Sequence, residues 1–143
     1  MRTYVVDTSV ALAWYFPDVF ATAAREWRDQ WLGGRIELIA PPLHRWEMAN
    51  VLRTYVRRGE IGERLAQDIY RVHLDAPLRW VEADPERVLR TALDYDATAY
   101  DAVFIQLSLA HHAPLLTAER TTTPWVVRLG KLAIVVGAAG HAS

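Results

Sequence analysis

The chain contains no cysteine. Disulfides and thiolate zinc sites are therefore excluded, and a reducing compartment is the expected home. Lysine is almost missing as well: Lys131 is the only one, and arginine carries the rest of the positive charge. Neither sign of charge dominates, because the formal net charge is −1. Overall electrostatics thus neither recruits nor repels nucleic acid, and phosphate binding has to come from a local patch. No run approaches the roughly 20 apolar residues of a membrane span. Asp7 interrupts the first apolar stretch before a signal peptide can develop, so a cytoplasmic location without membrane contact is expected. Three familiar chemistries are missing too. There is no H-E-x-x-H zinc pattern and no Ser-His-Asp order, and Gly33-Gly34 precedes a strand instead of opening a phosphate-binding helix. His111 and His112 are adjacent and diverge on a helix, while His44, His73 and His141 are scattered.

What is present reads as one domain over residues 1–143, with a hydrophobic fraction of 52% and a charged fraction of 23%. "TYVVD" is a short apolar, β-branched strand. Thr8 or Ser9 then caps a helix through Trp14, which Pro17 and Asp18 end. Apolar residues at helical spacing mark a helix from Val19 to Leu32, stopped by Gly33-Gly34. "IELIA" is a second strand. Leu43 to Arg58 is a strong helix ended by Gly59, and Gly62 to Leu74 is another. "LRWVEA" reads as a strand, Pro85 opens a helix to about Tyr95, and Thr98 to His112 is helical. "PLLTA" and "LAIVV" complete the strands. Helices alternate with continuously apolar strands, which is the pattern of a mainly parallel central sheet buried on both faces, a three-layer α/β/α domain.

In such sheets the working site lies beyond the carboxyl ends of the strands. Asp7 and Glu119 follow the strands "TYVVD" and "PLLT", Glu47 lies on the helix after "IELIA", and Asp101 is in the first turn of the helix leading into "PLLT". Each has an ordinary alternative. Asp7 can help cap the next helix, Asp101 completes the capping pattern Thr98-x-x-Asp101, Glu47 can be a solvated helix charge, and Glu119 can pair with Arg120. Together they say more, because clustered carboxylates repel and raise one another's pKa unless a cation neutralises them. Mg²⁺ or Mn²⁺ suits an all-oxygen set. A bound divalent ion activates water and polarises a phosphoryl oxygen, which points to phosphodiester hydrolysis.

These residues resemble the PIN-domain ribonucleases, specifically the VapC-type toxins of bacterial toxin–antitoxin pairs. The resemblance spans nearly the whole chain and rests on "VVDTSV", "HRWEMANVL", "AYDAVFIQLSLA" and "LLTAER", in that order. It implies a PIN-like fold and a metal-dependent endoribonuclease. Asp7 and Asp101 would be the main metal ligands and Glu47 the helix-borne acid, with Asn50 one turn on, hydrogen-bonding near the site. Ser9 and Thr117 would orient a carboxylate or a water. Position 119 is usually aspartate in the family; Glu119 is one methylene longer, which leaves direct ligation, ligation through water and the number of metals open. Of two Tyr-Asp-Ala triplets only that of Asp101 precedes the long apolar helix, so Asp96 is assigned to the loop before it.

The resemblance also implies RNA as substrate, a homodimer and a groove for a cognate antitoxin. The expected mode of inhibition is an antitoxin that covers the aromatic surface and directs an Arg or Lys toward the carboxylates, displacing the cation. Arg45, Arg53, Arg57, Arg58 and Arg120 are candidate phosphate contacts. Six tryptophans and six tyrosines divide between core and interface, with Trp14, Tyr15, Phe16, Trp27 and Trp31 close together in the chain. Two alternatives stand beside the nuclease. A PIN-like binding module without catalysis would follow if Glu119 signals a lost site. Aspartate-based phosphotransfer, as in receiver domains or haloacid-dehalogenase phosphatases, lacks support: Lys131 precedes "LAIVV", and Ser9 stands where the phosphatases need a second Asp.

Overall fold

The computed structural model describes residues 1–17 and 20–137. β1 (Arg2–Val6) leads into α1 (Thr8–Ala13) and α2 (Ala21–Leu32), then β2 (Ile36–Ala40), α3 (Leu43–Arg57) and α4 (Glu63–Asp75). β3 (Arg79–Trp80), α5 (Pro85–Tyr95), α6 (Ala99–His111) and β4 (Leu115–Thr117) follow, then α7 (Pro124–Leu129), a 3-10 turn at Gly130–Leu132 and β5 (Ala133–Val135). The strands form one five-stranded sheet in the order β3-β2-β1-β4-β5. Every neighbouring pair is parallel.

The strand residues explain the three layers. Successive side chains of a strand point to opposite faces, and here both faces are apolar. Tyr4, Val6, Leu38, Ala40 and Leu116 enter one core, with Val10 and Ala11 of α1, Ala24 and Trp31 of α2, and Met48 of α3. Val5, Ile39, Leu115 and Val135 enter the other, against Phe104, Ile105 and Leu107 of α6 and Trp125, Val126 and Leu129 of α7. Each large aliphatic side chain removed from water in this way contributes about 1.5–3 kcal/mol. α6 is apolar nearly all round ("AVFIQLSLA") because it is a core helix, with Ala102 and Phe104 through Ser108 buried.

Several boundaries differ from the expectation for local reasons. α1 is capped by Asp7, with no side-chain cap bond; the Thr8 and Ser9 hydroxyls, expected as caps, are engaged elsewhere. The helix expected from Val19 starts at Ala21, while Asp18, Val19 and His141 lie outside the described residues. The strand read in "LRWVEA" keeps only Arg79–Trp80. Beyond Val81, whose N–H reaches the Ala40 carbonyl, the Asp84 amide donates to the Gln106 side chain at 3.0 Å and draws the chain off the sheet edge. α7 was not expected, although Pro124 at its start and Gly130 (φ +63°) at its end are ordinary helix punctuation. Thr98 caps α6 by accepting the Asp101 N–H at 3.1 Å, as its spacing predicts.

Candidate active site

The chain builds β1, β2 and β3 toward one edge, then returns to place β4 and β5 on the other side of β1. Strand order therefore reverses between β1 and β4, and a crevice opens beyond their carboxyl ends. Asp7 stands at that point. Its N–H donates to the Leu116 carbonyl at 2.9 Å, and its carbonyl accepts the Val10 and Ala11 N–H groups of α1, so its backbone is held on both sides.

Two hydroxyls fix the Asp7 carboxylate. Thr117 and Ser9 donate to Oδ2 at 2.9 and 3.2 Å, and Oδ1 accepts from neither. Each hydroxyl in turn accepts a backbone N–H from the segment after β4: Ser9 from Ala118 and Thr117 from Glu119, both at 3.1 Å. The end of β1, the start of α1 and the end of β4 are thus stitched through one carboxylate oxygen. From α3, Glu47 Oε1 accepts the Thr8 hydroxyl at 2.7 Å.

Electrostatics ties the acids to one another. Burial pushes the Asp7 carboxyl up to about 6, with Asp101 and Glu47 adding to the rise and the Thr117 and Ser9 hydroxyls opposing it. Burial also raises Glu47, reinforced by Asp101. Asp101 is raised by burial and by Glu119, against the Thr98 cap. Charge interactions thus link Asp7 to Asp101 and Glu47, Glu47 to Asp101, and Asp101 to Glu119. The acids do not form a preassembled cage: among the described residues, no group of three or more His, Asp or Glu side chains stands at metal-holding spacing.

The remaining candidates divide. Ser9 and Thr117 contact Asp7 as described. Glu119 is exposed, with Oε2 accepting the Thr123 hydroxyl at 3.1 Å. Asn50 is exposed on α3, and its side chain hydrogen-bonds none of these acids. Asp96 ends α5 in a left-handed conformation (φ 52°), consistent with its place before α6. Arg53, Arg57, Arg58 and Arg120 are exposed. Arg45 instead lays its guanidinium over the rings of Trp80 and Trp46, at 4.9 and 5.8 Å. Trp14, Trp31 and Trp125 are core residues, and Trp46 is mostly exposed.

Four residues were not anticipated: Thr8, His44, His73 and Tyr15. His44 and His73 are fully buried, and their Nε2 atoms meet at 2.8 Å. His44 Nδ1 reaches the Thr8 hydroxyl at 2.7 Å, and His73 Nδ1 the Tyr15 hydroxyl at 2.8 Å. Burial lowers His44 to about 3 and His73 to about 4, so both rings are neutral. A signal existed for His44 alone, three residues before Glu47 on the same helix; nothing in the sequence linked His73 or Tyr15 to it.

No curated protein matches the chain significantly. Among solved structures it is similar to PAE2754 from Pyrobaculum aerophilum, at 24% identity and a TM-score of 0.69, over 93% of this chain and 88% of that one. It is also similar to a chain of a toxin-antitoxin complex from Klebsiella pneumoniae, at 13% identity and a TM-score of 0.60, over 92% and 95%. At such identities these likenesses speak to the fold. The family description "PIN domain" matches residues 4–121, a span that holds Asp7, Glu47, Asp101 and Glu119. With the all-parallel sheet, this settles the family: the chain belongs to the PIN domain family.

Proposed function

We propose that the protein is a metal-dependent endoribonuclease and the toxin of a toxin–antitoxin pair. PIN domains are generally nucleases, and the observation that carries the reading here is that burial raises the carboxyls of Asp7, Glu47 and Asp101, with Asp101 and Glu47 adding to the rise of Asp7 and Asp101 to that of Glu47. An all-oxygen donor set that resists ionising together suits Mg²⁺ or Mn²⁺. Asp7, through the oxygen its hydroxyl partners leave open, Asp101 and Glu47 would hold the ion, and Glu119 would join directly or through water. When bound, the ion lowers the pKa of a water and polarises the phosphoryl oxygen. The chain's own residues do the rest. Thr117 and Ser9 orient Asp7, Thr8 orients Glu47, and exposed Arg120 lies near enough in sequence to Glu119 to steady a phosphate.

A cognate antitoxin is the proposed partner, by analogy with the Klebsiella pneumoniae complex. A groove of about 370 Å³ between α3 and α4, lined by Leu52, Val56, Ala66 and Tyr70 together with Arg53, Arg57, Glu63 and Gln67, suits an amphipathic helix from it. A homodimer is the proposed assembly. Among the described residues no helix is long and apolar enough to cross a membrane. A second reading, a PIN-like module that binds without cleaving, is favoured by one observation: the acids do not stand at ligating distance as a group of three.

The test is cleavage of single-stranded RNA by the purified chain with Mg²⁺ or Mn²⁺ and with chelator. Asp7→Asn and Asp101→Asn are each expected to lose about 4 kcal/mol of transition-state stabilisation, on the order of a thousandfold in rate. Full activity in either variant, or in chelator, would overturn the reading. Thermal protection by the metal without cleavage would favour the binding module.

A further inference from the structure

We propose that Thr8, His44, His73 and Tyr15 form a one-way hydrogen-bond chain that positions the Glu47 carboxylate. This rests on the nuclease reading, in which Glu47 serves the reacting centre. The direction follows from proton counting. A carboxylate only accepts, so Thr8 donates its single hydroxyl proton to Glu47 Oε1 at 2.7 Å. Toward His44 the Thr8 oxygen must then accept, which places the His44 proton on Nδ1. Neutral His44 has no proton left for Nε2, so the 2.8 Å contact between the rings is donated by His73 Nε2. His73 Nδ1 is thereby an acceptor, and the Tyr15 hydroxyl donates to it at 2.8 Å. One assignment satisfies every donor and acceptor, and all four bonds point toward Glu47.

The surroundings support each step. Both imidazoles are fully buried and held neutral by that burial. Burial likewise raises the Tyr15 phenol to about 12, so it keeps the proton it must donate. The rings of Trp14 and Tyr15 stand 5.9 and 5.6 Å from that of His73, and Trp80 lies 6.0 Å from His44, leaving the pair walled by aromatic surface. Glutamate has a long side chain with many rotamers. A hydroxyl whose lone pair is already taken by His44 has one useful direction for its proton, and that direction selects a single carboxylate orientation. Thr8, His44, His73 and Tyr15 are therefore positioning residues. Glu47 Oε2, which the chain does not engage, is left for the reacting centre.

The experiment has a spectroscopic arm and a kinetic arm. In the full chain labelled with ¹⁵N-histidine, the ring spectrum at neutral pH is expected to show His44 as the Nδ1–H tautomer and His73 as the Nε2–H tautomer. A coupling across the hydrogen bond between their Nε2 atoms is expected as well. Both rings in the same tautomer, or either as imidazolium, would overturn the chain. In RNA cleavage, Thr8→Val is expected to lower kcat roughly ten- to hundredfold with KM unchanged, as for other groups that orient a ligand. Thr8→Ser, which keeps the hydroxyl, is expected to restore it. Unchanged kcat in Thr8→Val would overturn the positioning role even with the tautomers as assigned. A wild type that shows the assigned tautomers but cleaves no RNA would overturn the nuclease reading, and the positioning role with it. A wild type that cleaves with both rings in one tautomer would overturn the chain alone.

Discussion

The acids at the sheet edge and the histidine pair behind them are linked through Thr8, yet burial is compensated differently in the two places. The imidazoles respond by staying neutral and meeting each other: His44 and His73 exchange a hydrogen bond, and each uses its second nitrogen on a hydroxyl. The acids have no such internal answer. Asp7 is raised by burial and raised further by Asp101 and Glu47, and hydroxyls offset only part of that. The same desolvation is settled within the fold at one cluster; at the other it is not, and in the proposed nuclease a cation would settle it. A built-in penalty of this kind is what a binding site carries before its ligand arrives.

The contrast breaks most sharply at the satisfied cluster. His44→Leu keeps bulk but strands the His73 donor and leaves the Thr8 oxygen without its proton donor, both in the core. Each orphaned polar group costs about 1–3 kcal/mol, so a loss of about 3 kcal/mol in unfolding free energy is expected from denaturant titration. A variant as stable as wild type would mean that the pair contributes no net stability.

Asp7→Asn is expected to move stability the other way. An acid raised from 3.8 to about 6 on folding contributes most at low pH, and its stabilising share is lost as pH rises between those values. Above about 6 the ionised group therefore weighs against the fold, by at most about 3 kcal/mol for a shift of this size. Without metal, the variant should exceed wild type in stability at neutral pH, and the difference should vanish toward pH 4, near the ordinary carboxyl value. Thermal protection by Mg²⁺ or Mn²⁺ should vanish in the variant, whereas in the wild type it should weaken as pH falls below about 6, where protons compete for Asp7. A variant less stable than wild type at neutral pH would show that Asp7 is structural.

Thr117→Val comes next. The Thr117 hydroxyl joins Asp7 to the Glu119 backbone, and removing it is expected to weaken metal affinity roughly ten- to hundredfold, read by metal-dependent melting. An unchanged affinity would leave Ser9 as the sole orienting group.

Much of this was legible in the sequence, and for different reasons in different places. The buried stretches of β1, β2 and β4 (Tyr4–Val6, Leu38–Ala40, Leu115–Leu116) are apolar on both faces, a composition that needs no tertiary knowledge to read. Asp7 was findable because a charge directly after such a strand has to be explained. β3 is shorter than its composition suggests: after Val81 the chain leaves the sheet, and the Asp84 amide donates to Gln106 of α6, a partner that only the tertiary structure supplies. The histidine pair was illegible: His44 and His73 are 29 residues apart on different helices, and only the packing of α3 against α4 brings their rings together. Polar partners chosen by tertiary structure leave no spacing to read.

The smallest effect is expected at Glu119, the most exposed of the four acids and bonded to a hydroxyl of its own segment, Thr123. Its charge still raises Asp101. A carboxylate that stands in water and already accepts from Thr123 is not poised on the reacting centre, so Glu119→Gln should reduce cleavage less than tenfold, below about 1.4 kcal/mol. It should also lower the Asp101 pKa, because one neighbouring negative charge is gone; titration followed by carboxyl NMR reads that shift. The two measurements separate two roles. A lowered Asp101 pKa with mild kinetic loss makes Glu119 a distant charge, whereas a loss as large as that of Asp7→Asn makes it a direct ligand whose extra methylene the crevice accommodates.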